Sequence, residues 1–496
     1  MGINEKTMFS ATLSNYIHLI IKIISSLILV RILFLGMNHE TYGFWALLWS
    51  IYGYSVLLEF GLGITIQKKT AEYVASNKIK KISSLFSTYL LVYFIISLLI
   101  ALSTIVISWN LGSFFVINNI DQLHEYSLAL LVFGLGSSAA FILGFSVEIL
   151  RGLYLLKIRN YINTFFIILN AILLWQCIVT DQPLYILALS TVSIQFLNNL
   201  AFLFVLKYNI PSLKISHRLI NLADVRNSMQ FSLSAYLVMF SNIIIFRTDQ
   251  IVISVIAGVS YTGLYQIASR VSELFRQFAT QFHESIGIKA AMLHATKDKE
   301  ELSQLMLHSN KIVSAIATFL FVPSFILIEP LLFLWLELQD IQTINSAKIL
   351  LISMYILVTF RSSMVQILLM NGLHVQLMRI GLFEALSNVV LSIILVKEYG
   401  MIGAALGTLI PNIFLALFYN IPQTLKYSST QIRVYLREYL LPILIALTVT
   451  FILATLLQDI IIPNSIVKLF LNGFSILVIF TSFYYLLAFP KKPEIC

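Results

Sequence analysis

The sequence has little charge, few prolines and almost no cysteine. Asp, Glu, Lys and Arg make up only 11% of the 496 residues, whereas hydrophobic residues make up 59% and the mean hydropathy is +0.89. A soluble domain has about a quarter of its residues charged, so this chain cannot build an ordinary globular surface. Intrinsic disorder is excluded too, because it requires low hydrophobicity and high charge. The composition indicates an integral membrane protein.

Several kinds of functional site are missing from the sequence. Its two cysteines, Cys177 and Cys496, provide neither a disulfide framework nor a CxxC metal site. There is no P-loop, GxSxG or HExxH motif and no Cys/His cluster. We therefore predict a protein that is not an enzyme, with no catalytic residues, no metal site and no cofactor. The enzyme alternative, a membrane-embedded glycosyltransferase or polymerase, would need acidic catalytic residues in a sizeable outer loop, and the outer loops here are short.

Long apolar runs dominate the chain. At roughly 20 residues per span, they predict an all-α integral membrane protein with about 14 transmembrane helices. The predicted spans are 10–35, 42–66, 84–108, 127–149, 161–180, 184–206, 229–256, 262–288, 311–335, 346–371, 378–396, 401–421, 439–457 and 465–488.

Basic residues collect on alternate connections between these spans. The connection from Lys68 to Lys81 carries five lysines, whereas Trp109 to Tyr126 carries no Lys or Arg. Such a bias is the positive-inside pattern and predicts that both termini are cytoplasmic. An even number of spans likewise places both termini on the same side of the membrane. We therefore attribute the net charge of +9 to membrane topology and predict no nucleic-acid partner.

The chain shows a weak internal repeat. Gly43, in Tyr42-Gly43-Phe44, and Gly263, in Thr262-Gly263-Leu264, each follow a short turn after the first helix of a six-span set. The repeat predicts two six-helix lobes of parallel orientation, related by a pseudo-twofold axis along the membrane normal, as in transporters that bind substrate between such halves. The predicted divisions are 1–206 for the N-terminal lobe, 207–227 for a cytoplasmic linker, 228–422 for the C-terminal lobe, and 423–496 for two additional helices and a cytoplasmic tail.

Four segments carry a family resemblance. Tyr42–Trp45, Leu58–Gly63 and Lys68–Tyr73 resemble the N-terminal block of polysaccharide flippases, and Tyr399–Thr408 resembles a C-terminal block. These flippases are the Wzx-type O-antigen and capsule transporters of the multidrug/oligosaccharidyl-lipid/polysaccharide exporter superfamily. The resemblance extends over essentially the whole chain and implies a MATE-like fold.

The resemblance also implies a function in lipopolysaccharide or capsule biosynthesis. Such a protein moves an undecaprenyl-pyrophosphate-linked oligosaccharide, an O-antigen or capsule repeat unit, from the cytoplasmic to the outer leaflet of the cell inner membrane by alternating access. Polysaccharide polymerase machinery is an implied partner. A lipid II-type flippase and a multidrug cation antiporter of the same superfamily are the alternatives. The antiporter is disfavoured because no Asp or Glu lies between Phe9 and Leu35, where Lys22 and Arg31 are found.

Ionisable residues within the predicted spans are the candidate site residues. Each costs about 2.5–3.5 kcal/mol or more at mid-bilayer and is tolerated only when it faces protein or water. Basic groups lining a central aqueous cavity would attract a pyrophosphate strongly in a low-dielectric path, and arginine can bind it with two hydrogen bonds. The predicted substrate-binding residues are Lys22, Arg247, Arg270, Arg276 and Arg361. The predicted coupling residues for H⁺ or Na⁺ are His18, Glu59, Asp249, Glu273 and Glu384.

A structural interpretation competes with each of these assignments. Glu273 lies three residues from both Arg270 and Arg276, so it can pair with them within one helix. Arg247 and Asp249 are two residues apart and cannot both face one cavity. His18 can serve as a satisfied polar contact rather than a proton relay. Trp45 and Trp49 near the outer interface favour an aromatic belt over stacking against sugar rings.

Overall fold

The computed structural model describes residues 5–53, 59, 61–117, 122–223, 225, 247–280, 299–370, 374–427, 431–456 and 465–488. The regular structure of these residues is helical, which confirms the all-α fold class. The principal helices are α1 Glu5–Gly36, α2 His39–Gly53, α3 Leu62–Ala75, α4 Lys81–Trp109, α5 Leu123–Ile142, α6 Ser146–Gly152, α7 Leu156–Val179, α8 Leu184–Asn209, α9 247–256, α10 Val259–Ala279, α11 Lys299–Ile326, α12 Ile328–Leu336, α13 Ile341–Leu357, α14 Ser363–Met370, α15 His374–Leu415, α16 Ile421–Tyr427, α17 Leu441–Leu456 and α18 Ile466–Ala488.

Eight helical stretches of the described residues are long and apolar enough to cross a membrane. They are Leu13–Gly36, Lys81–Trp109, Leu123–Gly152, Leu156–Val179, Leu184–Asn209, Ser303–Ile326, Ile341–Val365 and Val375–Tyr427, and two shorter apolar helices follow at Leu441–Ile452 and Val467–Ser482. The chain is therefore a multi-pass membrane protein. Much of the predicted seventh span and the end of the eighth lie outside the described residues.

Two predicted spans of the N-terminal half differ from single continuous helices. In the second, Gly61 has a left-handed φ of 70° directly before α3 begins at Leu62; residues 54–58 and 60, which follow α2, lie outside the described part of the chain. The fourth is divided by a turn between Ile142 and Ser146. The hydropathy of a segment predicts that it is buried in lipid but does not register a turn of a few residues within it.

The chain forms two compact units, Met1–Gly263 and Leu264–Cys496. In the first unit α1 packs along α7, and α5 packs against both α4 and α8. In the second unit α13 packs against α15, and α11 contacts α17 and α18. The division predicted at residues 207–227 remains a prediction.

Helix α15 is a hairpin of two arms that meet at Gly400. Gly400 has φ 57° and ψ −136°, a backbone conformation open almost only to glycine. Gly403 and Gly407 let the second arm approach the first, because a Cβ at Gly403 would overlap the Leu395 carbonyl group and one at Gly407 would overlap Ser392. The two predicted spans 378–396 and 401–421 correspond to these arms, and the pair Gly403 and Gly407 permits close helix packing.

The two glycines of the sequence repeat touch each other within the first unit. A Cβ on Gly263 would lie 2.9 Å from the Gly43 nitrogen and 3.0 Å from its Cα, and a Cβ on Gly43 would overlap the Val259 carbonyl group. The backbone at Gly43 is therefore in direct contact with the chain at Val259 and Gly263, an approach that only residues without a side chain allow.

Trp45 is buried inside the first unit. It is 4% exposed, and its ring lies 5.9 Å from that of Phe133 in an edge-to-face arrangement. The predicted aromatic belt is therefore wrong for Trp45, whereas Trp49 on the next turn is exposed. Trp45 packs in the protein interior because α5 supplies an aromatic partner that the local sequence does not reveal.

Candidate functional site

Helix α1 has two exposed faces of opposite character. One face exposes large apolar side chains at Leu13, Ile17, Ile20, Ile24 and Ile28, with the three- and four-residue spacing of a helix surface in contact with lipid. Asn15, His18, Lys22, Ser25 and Ser26 lie on the opposite side. Lys22 is exposed. Because it is two residues from both Ile20 and Ile24, its side chain points to the opposite side of the helix.

Helix α7 covers part of this polar face. Buried Asn160 donates hydrogen bonds to the Ser14 hydroxyl (2.9 Å) and to the Asn15 side-chain oxygen (2.5 Å). The His18 Nδ1 lies 2.9 Å from the Thr164 hydroxyl. These contacts place His18 in a structural hydrogen-bond network; its assignment as a coupling residue remains a prediction.

Arg159 adds a second basic group to the same network. Its guanidinium donates to the Asn160 side-chain oxygen at 3.1 and 2.6 Å. Arg159 precedes the predicted span 161–180 and was not among the predicted site residues, so this proximity to the α1 polar face was missed. Asn160 and Thr164 are polar residues one helical turn apart on α7, and this spacing could have indicated that α7 has a polar face against α1.

Lys22 differs from Arg270 and Arg361, which are paired with carboxylates. Among the described residues it makes neither an ion pair nor a hydrogen bond. An exposed ammonium on the side of a membrane helix away from its apolar face must be solvated by water or by a ligand, because lipid tails cannot solvate it. The Lys22 ammonium is therefore accessible to a ligand, and its assignment as a substrate-binding residue remains a prediction.

Helix α10 carries a continuous polar stripe. Gln266, Arg270, Glu273, Gln277 and Thr280 are all partly exposed and recur at the spacing of one helix face, over about 20 Å of helix. Arg270 donates to Glu273 at 3.2 Å, so the predicted pair within one helix is present. Arg270 and Glu273 of this stripe are predicted site residues; its two glutamines were missed, although they recur at the same helical spacing.

Arg276 lies beside this stripe and is partly buried. It follows Glu273 by three residues, so the same carboxylate is within reach of both arginines. Arg270, Glu273 and Arg276 thus form a cluster of charged side chains along α10.

Arg361 pairs with Glu384 in the second unit. The guanidinium NH1 of Arg361 donates to Oε2 of Glu384, with side chains that are 17% and 2% exposed respectively. The other carboxylate oxygen, Oε1, is buried and accepts no hydrogen bond from the described residues. Arg361 lies on a π-helical turn, Val358–Ser362, and such turns frequently occur at functional sites.

Glu384 begins a buried polar row on the first arm of α15. Asn388 and Ser392 follow at four-residue intervals and are buried with it. Asn388 donates to the Thr408 hydroxyl of the second arm at 3.0 Å, and Asn412 of that arm donates to Ser353 of α13 at 2.7 Å. These bonds fix the helices around the Arg361–Glu384 pair.

The remaining predicted residues lie in the first unit. The Arg247 side chain packs over Gly53: a Cβ on Gly53 would lie 3.3 Å from the Arg247 Nε. Asp249 is buried. Glu59 lies near Glu148: a Cβ on Gly63 would be 3.8 Å from the Glu59 Oε2 and 3.3 Å from the Glu148 Cγ.

Glu148 is itself paired with a basic residue. Arg151 NH1 donates to its two carboxylate oxygens at 2.9 and 3.1 Å. Glu59, Glu148 and Arg151 thus form one charged group, an association that their sequence separation hid. The described residues contain no group of three or more His, Cys, Asp or Glu side chains able to hold a metal ion.

No family model matches the chain, and no curated protein matches its sequence. Solved structures do match. The lipid II flippase MurJ in an inward closed conformation superposes with a TM-score of 0.69 at 17% identity, covering 96% of this chain and 98% of that chain. An inward-facing multidrug resistance MATE family transporter of the MOP superfamily gives 0.63 at 15% identity, covering 82% and 95%.

A third match is a MOP superfamily transporter from Pyrococcus furiosus Vc1, described as having a binding pocket of reverse polarity, with a TM-score of 0.57 at 14% identity over 86% of this chain and 96% of that one. These neighbours are a flippase and transporters. The chain therefore has the MATE-like fold, as predicted, and at these identities the likeness shows the fold alone.

Proposed function

We propose that this protein is a flippase that moves a pyrophosphate-linked, lipid-anchored oligosaccharide from the cytoplasmic to the outer leaflet. The observation that carries the proposal is the exposed polar face of α1, which presents Lys22 on the side of the helix opposite the apolar face. A helix of this kind separates lipid from a hydrated path. The headgroup would follow the polar face while the polyprenyl tail stays in the lipid.

The basic residues supply the attraction for the headgroup. A pyrophosphate carries concentrated negative charge, and a cation in a low-dielectric path is worth several times its value in water. Lys22 has no described carboxylate to compete with the phosphate. Arg270 and Arg361 are paired with Glu273 and Glu384, and a phosphate that displaces either carboxylate would couple binding to a rearrangement of that helix.

The extent of the structural match supports a flippase over a multidrug antiporter. MurJ covers 96% of this chain, whereas the MATE transporter covers 82%. The basic character of α1, with Lys22 and Arg31 and no acid from Phe9 to Leu35, opposes binding of cationic drugs. The same match favours a second candidate substrate, lipid II, which shares the pyrophosphate and the polyprenyl tail.

Reconstitution tests both candidates. The full chain would be placed in proteoliposomes with a fluorescent undecaprenyl-pyrophosphate oligosaccharide, and flipping would be followed by quenching of the outward-facing label. We expect flipping by the wild type and at least a tenfold slower rate for Lys22→Gln. Lys397→Gln, which removes an exposed lysine elsewhere, is the matched control and should flip normally.

The outcomes separate the proposals. No flipping of the oligosaccharide lipid by well-folded wild type would refute the function, and rapid flipping of fluorescent lipid II alone would transfer the assignment to that substrate. Equal rates for Lys22→Gln and the wild type would refute the role of the α1 polar face.

We further propose Glu384 as the principal coupling residue, ahead of His18, Glu59, Asp249 and Glu273. It is 2% exposed on its side chain and has one carboxylate oxygen without a described partner, so binding of H⁺ or Na⁺ there would weaken its hold on Arg361. In proteoliposomes, a pH or Na⁺ gradient should accelerate flipping by the wild type. Glu384→Gln should flip slowly and equally with and without the gradient; a retained response would refute the assignment.

A further inference from the structure

The segment between α8 and residue 223 is docked along the start of α4. We call residues 210–222 the strap. Six hydrogen bonds join the strap backbone to α4 side chains. The four shortest are Lys214 N to Ser83 Oγ (3.1 Å), Ser216 N to Ser87 Oγ (3.2 Å), Asn221 N to Thr88 Oγ1 (2.9 Å) and Ser84 Oγ to the Leu219 oxygen (2.7 Å); Ser83 Oγ and Ser87 Oγ also donate to the Ser212 and Lys214 oxygens at 3.5 Å. A segment without long regular structure is thereby fixed along two turns of a membrane helix.

The strap lies at the level of a membrane surface. Its partners Ser83 to Thr88 occupy the first two turns of the apolar stretch Lys81–Trp109. At its other end it continues from α8, where Lys207 Nζ donates to the Leu213 oxygen at 2.7 Å. Both helices end here, so the strap runs where hydrocarbon gives way to headgroups.

The strap is basic and has no acidic residue. Lys214 and Arg218 are exposed, and the described residues provide neither side chain with an ion pair. The neighbouring turn before α4 adds Lys78 and Lys80, which are also exposed. The strap and this turn therefore present one positively charged surface.

Large apolar side chains are exposed between these charges. Ile215 is 58% exposed and Leu222 57% exposed, on the same short segment as Lys214 and Arg218. Buried Leu213 anchors the strap to the protein, so the exposed side chains have no role in that packing. Basic groups interleaved with exposed apolar ones are typical of surfaces that sit in a membrane interface.

We propose that the strap and the turn at Lys78–Lys80 form a binding surface for the headgroups of anionic phospholipids of the surrounding membrane. Lys214 and Arg218 contact the phosphates, and Ile215 and Leu222 enter the boundary of the acyl chains. This surface differs from ordinary topology-determining charge because its backbone is fixed by hydrogen bonds, so the charges are held in place before a lipid binds.

Native mass spectrometry of the full chain in detergent, titrated with dioleoyl phosphatidylglycerol, tests the surface. Each basic residue near an anionic lipid contributes roughly fivefold in affinity, so Lys214→Gln/Arg218→Gln should weaken binding by about tenfold or more. Lys397→Gln/Lys468→Gln removes the same charge from other exposed positions and should bind as the wild type does. Equal affinity of the strap variant and the wild type, or an equal loss in the control, would overturn the proposal.

A second variant tests whether docking matters. Ser84→Ala/Thr88→Val keeps every charge but removes the two shortest of the six hydrogen bonds, so we expect weaker phosphatidylglycerol binding together with faster amide hydrogen exchange in residues 210–222. Faster exchange with unchanged lipid binding would overturn the pre-organised surface. Displacement of the lipid by an equal concentration of inorganic pyrophosphate would identify a soluble-anion site and would also overturn the assignment to phospholipid.

Discussion

Lys22 and Arg361 resemble each other in the sequence, as lone basic residues without an acid within one turn, but the structure treats them differently. Arg361 meets Glu384, 23 residues away, in a buried ion pair, whereas Lys22 stays exposed without a described partner. Spacing along a helix predicts only local partners, and for that reason it anticipated Arg270 with Glu273 but not Arg361 with Glu384.

The buried pair makes a stability prediction. Arg361→Met leaves the Glu384 carboxylate buried without its cation, and removal of one partner of a buried pair typically costs about 3–5 kcal/mol. We therefore expect a clear fall in the thermal unfolding midpoint in detergent. Arg361→Met/Glu384→Leu removes both charges and should recover most of that stability. A single variant as stable as the wild type would contradict the observed pairing.

The contact between Gly43 and Gly263 makes a packing prediction. In Gly43→Ala the added methyl group would overlap the Val259 carbonyl group, and such overpacking costs about 1–3 kcal/mol. Gly473→Ala is the control, since its Cβ would lie at an ordinary 3.6 Å from the nearest side chain. Thermal unfolding of the two variants should differ; equal midpoints would contradict the close approach of Gly43 to Val259.

At the scale of the helix, the spacing of polar residues correctly indicated which of them share a face of the same helix. Asn15, His18 and Lys22 recur at the spacing of one helix face, and the structure adds that the reverse face of α1 exposes the apolar side chains named above. The π-helical turn that carries Arg361 could not be predicted from the sequence, because one extra residue within a helix leaves the amino-acid composition of the segment unchanged.

The hairpin of α15 depends on the backbone of a single residue. Gly400 combines a positive φ with ψ −136°, a region that costs other residues about 1–3 kcal/mol. A Cβ there would touch nothing within 4 Å, so Gly400→Ala tests the backbone alone.

We expect Gly400→Ala to lower the thermal unfolding midpoint. Gly400→Asn should be no better tolerated, because asparagine favours left-handed helical ψ values near +47° and not the value found here. Rescue by asparagine would indicate a left-handed helical turn instead.

At the scale of the whole molecule, the basic bias predicts which loops share a side of the membrane. Single cysteines at Lys78 and Asp181, in a chain with Cys177 and Cys496 replaced by serine, would be labelled in intact cells with an impermeant maleimide. We expect labelling at position 181 only, with position 78 reacting after permeabilisation. The reverse pattern would invert the proposed topology and the direction of transport.

The sequence alone determined that this is an all-α, multi-pass membrane protein, because long apolar segments with so few charges cannot form a water-exposed surface and must lie in lipid. It also determined the candidate charges, because each is costly in lipid and therefore conspicuous. The tertiary structure decided which charges are neutralised by distant partners, where Trp45 is buried, and how the strap is docked on α4. Those contacts join residues far apart in the chain, and only folding brings them within bonding distance.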